Sequence, residues 1–315
     1  MVENRHLKLV DLVEDYTEKL FAYLSGRLVS GPLTYGFEYE FLPLSKMTPA
    51  KVGELKRALP GLGFKRQDDG SFKALNGLDV SFEPGGQLEY GSPPLFGADE
   101  VGFAELLDHI AVTNQAIEDR FGVKYRALDY RSGRALAPLC LDSQRYQDMH
   151  SMFTDNGGRG REMMKGTASI QLHVRIRSLN EIVPLFLLFQ KLSKDPDFAM
   201  SASRQAIWAE TEPSRYKLPE IGIPEDEKSL LAVLVRHALE AIDFRRRTPF
   251  AERRTQSFDL FLAHLTTIFT DVRLNLKGPT FELRTMDSLP AEDFTLRWRR
   301  FVSEVEKNSV PGKKK

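Results

Sequence analysis

The stretch LTYGFEYEFL, residues 33–42, alternates between apolar and polar positions throughout. Because successive side chains of a strand point to opposite faces, this pattern predicts a strand with one largely aromatic face and one face that carries Glu38 and Glu40. Two carboxylates about 7 Å apart on one face repel each other by roughly 2 kcal/mol at an effective dielectric of about 20. A divalent cation would turn this repulsion into attraction. The stretch therefore predicts both a sheet and a metal site.

A second alternating segment, residues 78–82, leads through a Pro-Gly-Gly turn into residues 87–90. Proline and glycine are typical of tight turns, so the two segments predict a hairpin. Glu83 and Glu89 flank the turn. The hairpin therefore brings two more carboxylates to the predicted sheet.

Two further segments, residues 167–177 and 280–284, complete the predicted sheet. The first has one wholly polar face, and the second places Glu282 beside Arg284. A polar face on a single strand is commonly exposed to solvent. Acids and arginines on several strands together favour a different interpretation, since hard cations prefer carboxylates and guanidinium groups pair with carboxylates or phosphates. This combination indicates Mg²⁺ or Mn²⁺ beside an anion, and hence phosphoryl chemistry.

Apolar residues at helical spacing predict the helices that surround these strands. The expected limits are 7–28, 48–60, 98–121, 142–153, 179–192, 225–244, 258–269 and 291–305. Helices and strands are interspersed without a regular βαβ rhythm. The predicted fold class is therefore α+β.

The composition argues against several classes of protein. The 315 residues include 44 basic and 44 acidic side chains, and this zero net charge argues against a nucleic-acid binder. The single cysteine, Cys140, excludes an internal disulfide framework and fits a reducing compartment. The longest apolar stretch, residues 182–189, is far shorter than the roughly 20 residues of a membrane span, and the N-terminus lacks the apolar core of a signal peptide. We expect a cytoplasmic protein without a membrane or nucleic-acid partner.

Common nucleotide-binding and hydrolase motifs are absent from the sequence. It contains no P-loop, no Rossmann glycine motif, no G-x-S-x-G elbow and no H-E-x-x-H pair. Any nucleotide must therefore be held by another scaffold, and the carboxylate-bearing sheet is the available one.

The stretch FEPGGQLEYGSPPL, residues 82–95, resembles a signature of the plant-type and proteobacterial glutamate–cysteine ligases and their ergothioneine-pathway relatives. Further blocks resemble the same family in the same order: GFEYEF at 36–41, RYQDM at 145–149, GGRGREMMKGTASIQLHV at 157–174, RQAIWAETEPSR at 204–215, HLTTIFTDVRLN at 264–275 and FELRTMD at 281–287. Composition alone does not produce so many collinear matches. The resemblance is therefore specific.

This resemblance implies a glutamine-synthetase-like fold, in which an antiparallel sheet backed by helices forms a funnel for ATP, Mg²⁺ and glutamate. It implies an ATP-dependent carboxylate–amine ligase of glutathione biosynthesis. The γ-carboxylate of glutamate attacks the γ-phosphate of ATP, and the amine of cysteine then displaces phosphate from the γ-glutamyl phosphate. The expected partners are small molecules, namely glutamate, cysteine or another amine, and ATP, with Mg²⁺ or Mn²⁺ as the metal. The oligomeric state stays open.

The resemblance also implies roles for individual residues. The metal-ligand candidates are Glu38, Glu40, Glu83, Glu89 and Glu282. Arg204 and Arg284 are the candidate catalytic residues, which neutralise the transferred phosphoryl group. The candidates for binding ATP or substrate are Arg145, Thr167, Gln171, Trp208 and Arg215.

Basic residues and histidines outside these blocks have simpler interpretations. The run Arg245-Arg246-Arg247, with Arg253 and Arg254, could contact phosphate but is more typical of a solvated helix end. The histidines on predicted helices lack metal-ligand spacing and are interpreted as structural or exposed. They are His109, His150, His237 and His264.

The sequence departs from the family pattern at several positions. His173 and Arg175 stand where the family motif has Asn and Asp, and the glycines that often follow the E-x-R motif are missing after Arg284. We expect the chain to lack the family's further C-terminal segment. These departures leave two alternatives open: a ligase with a different amine acceptor, and a non-catalytic relative that binds glutamate or nucleotide. In either case we expect a single catalytic domain over 1–315, with an N-terminal helix in 1–30, a ligase core in 31–290, and a C-terminal helix and basic tail in 291–315.

Overall fold

The computed structural model describes residues 2–68, 70–97, 99–216, 218 and 222–309. The predicted tail at 311–315 lies outside the described residues. Within them, the strands are β1 (Tyr35–Pro43), β2 (Lys65–Arg66), β3 (Phe72–Lys73), β4 (Asp79–Phe82), β5 (Leu88–Gly91), β6 (Tyr125–Arg126), β7 (Ile170–Arg175), β8 (Val272–Asn275) and β9 (Thr280–Leu283). They form one antiparallel sheet in the order β2-β3-β4-β5-β1-β7-β9-β8, and β6 pairs with the end of β1.

Helices cover the sheet and line its edges. They are α1 (Val2–Ser25), α2 (Pro49–Ala58), α3 (Glu100–Phe121), α4 (Gln144–Asp155), α5 (Gly160–Gly166), α6 (Ile182–Leu192), α7 (Ala202–Ala209), α8 (Pro213–Tyr216), α9 (Glu227–Glu240), α10 (Phe258–Leu265) and α11 (Ala291–Ser309). The α+β class is therefore confirmed.

The aromatic face of β1 forms the centre of the core. Tyr35, Phe37 and Tyr39 are all at most 2% exposed. The ring of Phe37 packs edge-on against Phe103 of α3 and Phe294 of α11, at centroid distances of 5.7 and 5.3 Å. Burial of these rings on one side forces the glutamates of β1 onto the other side of the sheet.

Local capping explains two of the predicted helix limits. The Thr48 hydroxyl accepts a hydrogen bond from the backbone N–H of Lys51 at 3.2 Å and begins α2. Gly122, with φ of 64°, adopts the left-handed conformation that ends α3.

Two helices end four residues earlier than predicted. α9 ends at Glu240 and α10 at Leu265, whereas the apolar pattern continues to Phe244 and Phe269. Both phenylalanines belong instead to a small apolar cluster beside the polar face of the sheet, so the pattern persists after the helix has ended. We call it the methionine–aromatic cluster; its buried members are Met149, Met152, Phe153, Met164, Trp208, Phe244 and Phe269.

Three short helices, α5, α7 and α8, were not predicted from the sequence. Each buries a charged side chain, namely Lys165, Arg204 and Arg215 respectively. Burial of cations hides the apolar periodicity by which helices are recognised. In the described part of the chain, no helix combines the length and the apolar character that a bilayer span requires.

Candidate active site

A cavity of about 380 Å³ opens on the polar face of the sheet. Strands β1, β5, β7 and β8 contribute to the lining together with Arg284, which follows β9, and helices α4, α5 and α7 also contribute. The predicted site residues that line it are Glu38, Glu40, Glu83, Glu89, Arg145, Thr167, Gln171, Arg204, Trp208 and Arg284. Of the predicted set, Glu282 and Arg215 lie outside this lining.

Strand register brings the four lining glutamates together. Glu40 of β1 lies directly opposite Glu89 of β5, and Glu38 lies two residues away on the same face of β1. Glu83 follows β4, at the start of the hairpin turn. The hairpin predicted from residues 78–90 therefore places its two acids beside the two acids of β1.

Burial opposes ionisation of three of these carboxyls, those of Glu40, Glu83 and Glu89, and the neighbouring acids add to the effect at Glu83 and Glu89. Burial, followed by the neighbouring Glu40, raises the pKa of Glu83 to about 8. Burial, followed by Glu38, raises the pKa of Glu89 well above its usual range. Burial also raises the pKa of Glu40, although the backbone N–H of Ser169 donates to this carboxylate at 2.8 Å. Oxygen ligands with suppressed ionisation are the donor set that a hard divalent cation fits, because the cation removes the repulsion.

A second possible ligand group lies at the centre of the sheet. Glu38, His173 and Glu282 can each offer one ligand atom, and these atoms all lie within 4.8 Å of one another. The Nε2 atom of His173 is 3.6 Å from Oε1 of Glu38, and its Nδ1 atom is 3.7 Å from Oε1 of Glu282. Nε2 is buried and has no hydrogen-bond partner within the described residues. From the sequence, His173 was noted only as a departure from the family motif, although its alternation with Gln171 already placed it on the polar face.

Glu282 is fully buried just behind the cavity wall. Arg273 and Asn275 of β8 and Arg284 beyond β9 all donate hydrogen bonds to its carboxylate. Burial by itself raises the pKa of Glu282, but Arg273, His173 and Arg284 together lower that pKa to about 2. The carboxylate is therefore ionised and already neutralised by arginines, which distinguishes it from the other four metal-ligand candidates.

Each of the two candidate catalytic arginines has a donor atom with no hydrogen-bond partner among the described residues. Nη1 of Arg204 donates to Oδ1 of Asp287 at 2.7 Å and to the Thr285 carbonyl at 3.1 Å. Nη1 of Arg284 donates to Glu282 at 3.1 Å and also to Gln171. The Nε atoms of both arginines are buried without a hydrogen-bond partner in the part of the chain that the structure describes. A buried donor without an acceptor is costly, so an anion in the cavity would relieve both.

The predicted binding residues differ in how many of their polar atoms already form hydrogen bonds within the protein. Gln171 bridges the acids and the arginines, because its Nε2 donates to Glu40 at 3.0 Å while its Oε1 accepts from Arg284. The Thr167 hydroxyl donates to the Met163 carbonyl at 2.7 Å. The Trp208 ring packs against Phe269 at 5.3 Å, and its Nε1 is buried without an acceptor among the described residues. Trp208 thus forms part of the pocket wall.

The structure places Arg215 differently from the prediction of a substrate-binding residue. Its Nε donates to the Ile242 carbonyl at 2.8 Å, and its Nη1 donates to the Thr267 carbonyl at 3.0 Å. The guanidinium group stacks over the ring of Phe244 at 3.6 Å. Because these contacts use the donors of Arg215 within the protein, this residue stabilises the segment around Thr267.

Several lining residues were missed from the sequence. The Tyr146 hydroxyl lies 3.5 Å from both carboxylate oxygens of Glu83, and Glu83, followed by burial, raises the pKa of Tyr146. Arg273 lines the cavity and pairs with Glu282 across β8 and β9. Tyr146 lies inside the motif block at 145–149, and Arg273 lies inside the block at 264–275. Their presence in these blocks is the sequence feature that could have indicated a role in the site.

The Pro-Gly-Gly turn packs tightly against the end of α5. A Cβ atom on Gly85 would lie 2.5 Å from the Lys165 carbonyl oxygen, and Gly86 has φ of 82°. Gln87 stabilises the turn, since its Oε1 accepts from the Gly85 N–H at 2.8 Å and its Nε2 donates to the Thr167 carbonyl at 3.2 Å. The glycines thus serve the backbone geometry that orients Glu83.

Comparison with protein families gives a match to this chain. A family model described as glutamate-cysteine ligase family 2 (GCS2) matches residues 34–193. The matched interval runs from the start of β1 to the end of α6 and includes the four lining glutamates. A search of curated proteins found no match to the chain.

Proposed function

The chain belongs to glutamate-cysteine ligase family 2, and from that premise we propose that it is an ATP-dependent ligase that forms a γ-glutamyl amide through a γ-glutamyl phosphate. The observation that carries the proposal is the arrangement of one cavity. It sets the acids Glu38, Glu40, Glu83 and Glu89 beside the arginines Arg204 and Arg284. A ligase that phosphorylates a carboxylate needs a cation site for nucleotide phosphates and fixed positive charge around the transferred group.

Four carboxylates, on Glu38, Glu40, Glu83 and Glu89, would hold Mg²⁺ or Mn²⁺. Glu282 and His173 would complete the metal environment from the sheet side. When bound, the metal would supply positive charge that offsets the phosphate oxygens of ATP. The raised pKa of Glu83, to about 8, supports this assignment, because a carboxyl that resists ionisation in the metal-free protein is suited to a cation.

Arg204 and Arg284 would stabilise the phosphoryl group during its transfer. In the first step, a γ-carboxylate oxygen of glutamate bonds to the γ-phosphorus of ATP, and the bond from that phosphorus to the leaving oxygen of ADP breaks. In the second step, the acceptor amine bonds to the acyl carbon, phosphate leaves with the electron pair of the acyl–oxygen bond, and the nitrogen loses a proton. The unpartnered Nε atoms of both arginines support this role.

The acceptor side of the cavity is apolar. Met149, Met164, Trp208 and Phe269 belong to the methionine–aromatic cluster and also line the cavity. A thiol side chain behaves as a small hydrophobe, so this wall favours cysteine as the first acceptor to test. A ligase for another amine remains the alternative, because His173 and Arg175 replace the family's Asn and Asp on β7.

We further propose a single catalytic domain with a glutamine-synthetase-like funnel. One apolar cluster extends from Val13 in α1 to Val305 in α11, which supports one folding unit rather than two. Cys140 is free and buried, which fits activity in a reducing cytoplasm as part of glutathione biosynthesis.

The test is incubation of the purified protein with ATP, Mg²⁺, glutamate and each of the common amino acids in turn. Phosphate release and product mass are measured, with Glu83→Gln as the matched variant that keeps the shape of the side chain. We expect acceptor-dependent phosphate release, with a product mass equal to the condensed γ-glutamyl amide. ATP binding without phosphate release for any acceptor would instead support the non-catalytic alternative.

A further inference from the structure

A second cavity, of about 550 Å³, adjoins the candidate active site and shares Arg145 and Thr267 with it. We call it the basic cavity. Its lining includes the arginines Arg145, Arg215, Arg245, Arg246 and Arg253. This volume lies within the range of about 300 to 1,000 Å³ that is typical of small-molecule sites.

The basic cavity has an excess of positive charge. Five arginines line it against two aspartates, Asp148 and Asp243, which leaves a net charge of three. His264 is also in the wall and adds no charge near neutral pH, because burial and then Arg215 lower its pKa to about 3. The cavity therefore attracts anions.

The carboxylate of Asp243 already bonds to Arg253 and to backbone groups of its own loop. Its Oδ2 pairs with Nη1 of Arg253 at 3.0 Å. Its Oδ1 accepts from the backbone N–H groups of Arg245 and Arg246, at 3.1 and 2.9 Å. Across the described ranges of the chain, no carboxylate lies within salt-bridge distance of the Arg245 or Arg246 guanidinium groups. These two cations are available to a ligand.

The loop that carries this arginine pair is closed by backbone hydrogen bonds. The N–H of Asp243 donates to the Thr248 carbonyl at 2.9 Å, and the N–H of Arg247 donates to the Asp243 carbonyl at 2.9 Å. Arg247 adopts φ of 62°, a left-handed conformation that costs a non-glycine residue roughly 1 kcal/mol. Its guanidinium group bonds to Asp155 and Ser151, both at 3.0 Å, and holds that conformation in place. Arg245 and Arg246 therefore lie on a loop whose conformation is fixed by hydrogen bonds.

We propose that the basic cavity binds a small polyanion that carries two or more phosphate or carboxylate groups. Arginine pairs recognise both groups through bidentate hydrogen bonds, which is the chemistry that Arg245 and Arg246 offer. A concave site of this size suits a small molecule, and the zero net charge of the chain argues against a nucleic-acid ligand. This site is separate from the candidate active site of the proposed ligase. Arg145 and Thr267 line both cavities, so they lie between the bound polyanion and the candidate active site.

Isothermal titration calorimetry with pyrophosphate, in EDTA and at low ionic strength, tests this proposal without any turnover. Arg204 and Arg284 of the candidate active site could also attract pyrophosphate, so variants of each cavity are compared. We expect pyrophosphate to bind the wild-type protein, and the Arg245→Gln/Arg246→Gln double variant to bind at least about tenfold more weakly. The control Arg254→Gln removes an exposed arginine near the same loop that does not line the cavity, and it should bind as the wild type does.

Three further measurements separate the possible outcomes. Arg284→Gln removes a positive charge from the candidate active site and none from the basic cavity, so unchanged pyrophosphate affinity in this variant places the anion in the basic cavity. Citrate in place of pyrophosphate distinguishes a carboxylate ligand from a phosphate ligand. The Arg245→Lys/Arg246→Lys variant keeps the charge and should bind pyrophosphate more tightly than the glutamine double variant does. The proposal is overturned if neither anion binds the wild-type protein, or if the glutamine double variant binds as tightly as the wild type.

Discussion

The carboxylate of Glu282 accepts a hydrogen bond from Arg284 at 3.1 Å, so a predicted metal ligand is paired with a predicted catalytic arginine. Arg273 donates to the same carboxylate from the neighbouring strand. Glu282 therefore stabilises two arginines behind the cavity wall, whereas the lining glutamates Glu40 and Glu83 accept hydrogen bonds from neutral groups. This separation suggests that Glu282 positions the arginines as well as contributing to the metal environment.

Replacement of Glu38 or Glu83 by glutamine should lower kcat by about 100-fold or more, because each change removes a charge that the metal requires. The fold should persist, since glutamine relieves the repulsion within the acid cluster. Steady-state kinetics and thermal unfolding check both parts. Glu54→Gln on α2 removes an acid that pairs with Lys51 away from the cavity, and it should behave as the wild type. Wild-type turnover in either active-site variant would refute the metal assignment.

Metal binding should release protons at pH 7. Burial and Glu40 raise the pKa of Glu83 to about 8, so this carboxyl is mostly protonated in the metal-free protein and must ionise to bind Mn²⁺. Affinity should therefore increase as the pH rises from 7 to 8. Calorimetric titration with Mn²⁺ in PIPES and in Tris measures the protons released, and Glu83→Gln should reduce their number. Identical enthalpies in the two buffers would contradict the expectation.

The Gly85→Ala variant should lose about 1 to 3 kcal/mol in its free energy of unfolding. The added Cβ atom would lie 2.5 Å from the Lys165 carbonyl oxygen and would push the turn away from α5. Gly91→Ala is the matched control on β5, because its Cβ atom would meet Asp79 at an ordinary contact distance of 3.6 Å. Urea denaturation of the two variants compares them. Equal stability would show that the turn tolerates a side chain.

Stability should fall with pH below about 6.5, in part because of His264. Its imidazole donates to the Ala238 carbonyl across 2.9 Å, and burial, followed by Arg215, lowers its pKa to about 3. Between pH 6.5 and 3 the unfolded chain binds a proton that the folded chain does not, so stability rises with pH in this window and is fully present above it. The contribution amounts to about 1.4 kcal/mol per pH unit.

Urea denaturation of the wild type and of His264→Gln at pH 7, 6 and 5 isolates this contribution. The difference between the two free energies of unfolding should change with pH by the expected slope, since other titrating groups are common to both proteins. His237, whose pKa burial lowers to about 4, remains in both and serves as the internal reference. A pH-independent difference would exclude His264 as the source.

Strand periodicity and one turn signal were sufficient to find the four acids that line the cavity. Alternation in β1 placed Glu38 and Glu40 on the polar face, and the turn signal placed Glu83 and Glu89 on a hairpin. It could not identify His173 as a possible ligand, because a lone histidine on a polar strand face has no local partner. Its neighbours come from β1 and β9, and the strand order that joins them is not encoded in a period of two residues.

The sequence by itself determined the α+β class, the family and the two faces of each major strand, because local periodicity and motif order are properties of short segments. Only the tertiary structure decided how the predicted charges are used. Arg215 donates to Ile242 and Thr267, and Glu282 accepts from Arg273, through contacts set by packing between separate elements. The physical reason is that a charged side chain can bind a ligand only if its hydrogen-bonding atoms are not already used by protein groups. Folding decides which protein groups come within hydrogen-bond distance, and those groups lie on other elements of the fold.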